Sequence, residues 1–148
     1  MKLAKYLRPS RIILPLTAGD KWAAIDELLE KLALDGAVLD AEQARADLIA
    51  REKRMSTGME HGLAIPHAKT KGVSELVVGV GIALDGIEFE SLDGRPARIV
   101  FLVLSRADVS GPHVECIAEI AKACSDVAVR EAVLRAKSAA EIIAALRG

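Results

Sequence analysis

Apolar positions recur at helical spacing in the first third of the chain, crowd into continuous runs in the middle, and return to helical spacing towards the end. In "GDKWAAIDELLEKLALDG", residues 19–36, Ile25, Leu28, Leu29 and Leu32 fall at i, i+3, i+4 and i+7 and mark one face of a helix. Asp20 can cap its start, and Gly36 stands where a left-handed residue would end it. Asp40 and Gln43 have capping-box spacing ahead of a second helix, residues 40–53, with Arg51, Glu52 and Arg54 at its end. The pattern then changes. "ELVVGVGIAL" (75–84) and "ARIVFLVL" (97–104) read as strands, separated by a segment with two Asp-Gly turn signals. "RIILPL" (11–16) is a shorter strand that Pro15 confines to an edge, and "GLAIP" (62–66) is an apolar strand that delivers His67. Helices are predicted over residues 110–124, with Pro112 in the first turn, over 127–136 behind Ser125 or Asp126, and after the Ser138–Glu141 capping box. Strands bracketed by helices predict an α/β sandwich.

Composition narrows the functions available to such a fold. With 148 residues, 1–148 fits one domain with a sizeable core. A net charge of −1 leaves no basic footprint for nucleic acid or a membrane surface, and one Trp, one Tyr and two Phe make no base-stacking platform. Apolar runs such as "IVFLVL" are too short to span a bilayer. Arg8 and Arg11 break any signal-peptide core at the start, so the chain is read as cytoplasmic. Cys116 and Cys124 share a predicted helix, roughly 12 Å apart at ~1.5 Å per residue, which is too far for a disulfide. Both read as small buried apolar residues.

The chemistry rests on three histidines. His67 follows a strand edge, and His113 precedes an apolar helix whose first turn offers unpaired N–H groups and partial positive charge to a phosphate. Arg51 adds a planar fork that matches phosphate geometry. Together they suit phosphoryl transfer, which asks for positioning and for donors to the equatorial oxygens. Blander readings stand beside this one: His113 as a surface or helix-start residue, Arg51, Glu52 and Arg54 as a solvated helix end, and His61 as a loop residue. A zinc hydrolase built on the histidines, extended by Cys116, is the remote rival. Its weakness is that His61 and His67 would lie roughly 20 Å apart along an extended strand at ~3.3 Å per residue. With no nucleotide-binding loop, the phosphoryl group must arrive on another protein. Neither a cofactor nor a metal is called for.

"RE…STG…GLAIPHA" resembles the signature of the enzyme IIA component of the sugar phosphotransferase system, fructose/mannitol class. Arg51, Glu52, Thr57, Gly58, Ala64, Ile65, Pro66, His67 and His113 appear in family order, and the likeness extends over nearly the whole chain. The resemblance implies a single mixed β-sheet flanked by helices on both faces. It implies that His67 accepts phosphate from the histidine-containing phosphocarrier protein, that His113 is the second active-site histidine, and that an enzyme IIB receives the group. The opening "YLRPSRIILPLTAGDKWAAIDEL" resembles the nitrogen-regulatory branch, in which phosphorylation would control binding to a regulatory target. One departure is Glu60, at a position where the family usually has glycine; it is expected to disturb a positive-φ turn or to face the phosphate.

Overall fold

The computed structural model describes residues 2–147. Short 3-10 turns at Lys2–Tyr6 and Pro9–Arg11 lead into β1 (Ile12–Ile13), α1 (Lys21–Leu34) and α2 (Ala41–Arg54). The chain then forms β2 (Leu63–Ala64), β3 (His67–Lys69), β4 (Val77–Ile87) and β5 (Ala97–Ser105). It ends in α3 (Gly111–Cys124), α4 (Val127–Arg135) and α5 (Ala139–Arg147). The strands make one mixed sheet in the order β1-β4-β5-β2, with β3 continuing beside β5. β4 and β5 run antiparallel, whereas β1 joins β4 and both β2 and β3 join β5 in parallel.

The two long strands are buried on both faces, which is why they read as unbroken apolar runs. Along β5, Val100, Leu102 and Leu104 face α1 and α2, while Ile99, Phe101 and Val103 face α3, α5 and the N-terminal turn. Gly79 and Gly81 let α1 and its approach settle on β4. A Cβ on Gly81 would come within 2.8 Å of the Leu16 side chain, and one on Gly79 within 3.3 Å of Leu32. The helix starts follow their side chains: Asp20 accepts from the Ala23 amide, Asp40 from Gln43, and Asp126, rather than Ser125, from Ala128. Gly36 takes φ +77° after α1, as its position predicts. Only half of the expected box forms at α2, because Gln43 turns its amide to Asp47 and the Asp40 N–H goes to Gly72.

Two strand expectations need correction. Only Ile12–Ile13 of "RIILPL" pairs as a strand. "GLAIP" is not a strand ending at His67, because pairing lapses at Ile65–Pro66 and resumes at His67. Pro66 has no N–H to donate, although its carbonyl still accepts from Val103. Cys116 and Cys124 are buried and unpaired on α3, and burial pushes their thiols up to about 12 and about 11. Among the described residues no helix is long and apolar enough to cross a membrane.

Candidate functional site

The lapse at Pro66 places His67 as the first residue of β3, opposite Val103 and therefore on the face that α3 covers. Its Nδ1 lies 2.6 Å from the Ile65 carbonyl oxygen. A carbonyl can only accept, so Nδ1 carries the proton and Nε2 keeps a free lone pair. Burial holds the His67 pKa below the ordinary imidazole value; the Ile65 bond opposes that shift and the Arg51 charge adds to it. The ring is consequently a neutral nucleophile near pH 7.

Across from it, α3 begins after Ser110 with Pro112 in its first turn, and this turn sets His113 against the sheet. The His113 ring is 5.5 Å from that of His67, centroid to centroid, and tilted by 60°. Its Nδ1 is 2.6 Å from the Ser105 hydroxyl at the end of β5. Burial, with the neighbouring His67, Lys69 and Arg51, pushes its pKa down to about 4. His113 is thus not the surface residue of the blander reading.

Arg51, in the last turn of α2, comes to the same place from the other side. It lines a cleft of about 450 Å³ together with Arg54, Lys69, His67 and His113. One guanidinium N–H donates to the Met55 carbonyl at 2.9 Å, which holds the side chain at the helix end. Lys69 Nζ donates to Ser110 Oγ at 2.7 Å. The cations Arg51, Arg54 and Lys69 share the cleft with one carboxylate, Asp47, so its field favours an anion.

Glu52 does not belong to a solvated helix end. It is 3% exposed, accepts from both the amide and hydroxyl of Thr57 at 2.9 and 2.6 Å, and pairs with Lys21 at 3.2 Å. It anchors the segment leading from α2 to the sheet edge, and the signal for this, a cation 31 residues away on α1, is not local. Lys69 was missed in the sequence, although standing two residues on from a strand-borne His67 would have put it on the same face. Ser105 carried no local sign of its role.

His61 lies apart from this cleft, in a turn at the other end of β2, with φ +63°. The left-handed conformation thus falls on His61 and Gly62, not on Glu60, so glutamate there meets no backbone penalty. Nor does Glu60 line the cleft; its carboxylate sits 3.8 Å from the His61 ring. The three histidines do not converge. Among the described residues no three His, Cys, Asp or Glu side chains are grouped to hold a metal ion.

Two neutral imidazoles, one with a free lone pair, beneath a cluster of cations have the chemistry that phosphoryl transfer through histidine requires. The chain belongs to the family of phosphoenolpyruvate-dependent sugar phosphotransferase system EIIA 2 domains, whose model matches residues 5–148. It is 35% identical over 119 residues to the fructose-specific EIIA component of Haloferax volcanii, covering 80% of this chain and 77% of that protein. It is 32% identical over 143 residues to the fructose-specific EIIABC component of Bacillus subtilis, covering 97% of this chain but only 22% of that longer protein. The crystal structure of nitrogen regulatory protein IIA-Ntr from Neisseria meningitidis superposes with a TM-score of 0.90 at 29% identity, over 99% of both chains. The IIA chain in the complex of enzyme IIAMTL and phosphorylated enzyme IIBMTL from Escherichia coli gives 0.83 at 25% identity, over 96% of this chain and 97% of that one. These likenesses bear out the α/β fold with one mixed, helix-flanked sheet, and they make the chain a phosphotransferase component that carries phosphate on histidine.

Proposed function

We propose that His67 is the phosphorylated residue of a cytoplasmic carrier and that the phosphoryl group sits on Nε2. The observation that carries this is the bond from Nδ1–H to the Ile65 carbonyl, which leaves Nε2 as the ring's one nucleophilic atom. The Nε2 lone pair attacks the phosphorus of a phosphohistidine on the histidine-containing phosphocarrier protein. The new N–P bond forms as the donor's N–P bond breaks, and the departing electron pair stays on the donor's imidazole. No proton need move. Arg51 and His113 hold the equatorial oxygens, as preorganised donors to charge that develops in the transition state. The same geometry run outward delivers the group to an enzyme IIB, a reading supported by the solved IIA–IIB complex of a relative.

The likeness to IIA-Ntr over the full chain favours a second reading, in which the phosphorylated and free forms differ in their grip on a regulatory target. Incubation with phosphoenolpyruvate, enzyme I and the phosphocarrier protein, followed by intact mass measurement, tests the shared core. One added phosphate that His67→Ala abolishes is the expected result, and undiminished labelling of that variant would remove His67 from the mechanism. A chase with enzyme IIB separates the two readings. Rapid loss of the label supports transport, whereas retention with altered target binding supports regulation.

A further inference from the structure

We infer that the buried hydroxyl of Ser105 is a positioning group for phosphoryl transfer: by donating to His113 Nδ1 it fixes that ring in the tautomer that presents Nε2–H to the cleft. The inference rests on the reading that His67 carries the phosphoryl group, and it concerns how the neighbouring ring is prepared to receive it.

The two histidines are held by different kinds of partner. His67 Nδ1 meets a backbone carbonyl, which can only accept, whereas His113 Nδ1 meets a hydroxyl, which can donate. A neutral imidazole has one N–H, so these partners place the protons on opposite nitrogens. His67 then offers a lone pair at Nε2 and His113 a proton. One becomes the nucleophile and the other a donor to the oxygens of the group the first has captured.

The direction of the Ser105 bond follows from burial. Ser105 is 1% exposed, and its backbone carbonyl already accepts from the Thr70 amide at 2.8 Å. Among the described residues its hydroxyl has one hydrogen-bond partner, His113 Nδ1 at 2.6 Å. If the hydroxyl accepted from Nδ1–H, its own proton would be stranded in a dry site. A stranded donor costs more than a spare oxygen lone pair. Ser105 therefore donates. The low pKa of about 4 agrees, since an imidazolium would donate from both nitrogens and need no serine to choose between them. The fold supplies the alignment: Ser105 is paired with Lys69, two residues on from His67, so all three side chains face α3.

The test is a long-range proton–nitrogen NMR spectrum of the histidine rings in the unphosphorylated full chain near pH 7. His113 should be protonated on Nε2 with Nδ1 an acceptor, and His67 should show the reverse. Protonation of His113 on Nδ1 would overturn the inference whatever the fate of any variant. In Ser105→Ala the His113 tautomers should mix while His67 is unmoved. Phosphoryl transfer should then slow about 10-fold, a part of the ~10²–10³ expected for losing such a donor outright. Ser105→Cys, with a weaker donor, should fall between the two. A Ser105→Ala protein with wild-type tautomer and rate would also overturn the inference. Absence of phosphate on His67 would instead defeat the carrier reading, which the tautomer spectrum does not depend on.

Discussion

At one end of the β2–β3 edge, His67 and His113 stand in a cleft of about 450 Å³ with Arg51, Arg54 and Lys69. At the other end, His61 stands in a cleft of about 310 Å³ with Arg95, Arg98 and Arg130. By inventory the two are alike: imidazole, guanidinium and one aspartate in each. They differ in what fixes the imidazole. His67 and His113 each have Nδ1 bound at 2.6 Å to an internal partner, and both rings are drawn from water. The His61 ring is exposed, and among the described residues its one polar neighbour is the Glu60 carboxylate at 3.8 Å, while two of its arginines are turned to the Leu84 and Cys124 carbonyls. A cationic cleft attracts an anion; only a fixed lone pair facing a fixed donor prepares it for transfer.

The anchoring of the first end can be broken at Glu52. Glu52→Ala removes the acceptor of both buried Thr57 donors and leaves the buried Lys21 with only the exposed Glu90, so it is expected to cost about 2–4 kcal/mol of stability, read from denaturant midpoints. The counterpart at the other end is Asp93, which accepts from the His61 and Arg95 amides in full view of solvent. Asp93→Ala should move the midpoint far less, and equal losses would show that burial is not what distinguishes the ends. Next in size is His113→Ala. Losing one preorganised donor should slow phosphoryl transfer about 10²–10³-fold in rapid-quench measurements while phosphate still loads on the protein.

Smaller, and dependent on pH, is the contribution of the half-buried His67 ring and the buried His113 ring to stability. Both histidines have lowered pKa values in the folded protein, His113 to about 4. As pH falls below about 6.5, the unfolded chain takes up protons that the folded rings refuse, so stability should fall between about 6.5 and about 4. His113→Gln should flatten part of that slope in denaturant titrations at successive pH values. Smallest of all, His61→Ala should leave transfer within about twofold of wild type, the range of an exposed substitution. A larger loss would bring the far cleft into the reaction.

Much of this contrast was written in the chain. The caps at Asp20, Asp40 and Asp126, the two buried strands and the helix behind His113 all follow from period and end signals that span a few residues. His67 and His113 could be singled out because histidine is rare in this composition, and Arg51 because it falls at a helix end and in the family pattern; all three places are local. The restraints on them are not local. Glu52 is paired with a lysine from another helix, and Ser105, the last residue of β5, meets His113 across a loop and a helix start. The acceptor that sets the His67 tautomer is a backbone carbonyl, which every residue possesses and no sequence pattern marks. The expectation at Glu60 erred in the other direction: a family pattern suggested backbone strain there, and the turn places its left-handed residues at His61 and Gly62 instead.

The central claim is that Nε2 of His67 is the atom that receives the phosphoryl group. Phosphorus–nitrogen NMR on protein labelled with nitrogen-15 in its histidine rings and phosphorylated through the reconstituted relay measures this directly. The account predicts one phosphorus signal coupled to His67 Nε2, with His67 Nδ1 still protonated against the Ile65 carbonyl. Phosphorus coupled to Nδ1 of that ring, or to either nitrogen of His113 or His61, would contradict it.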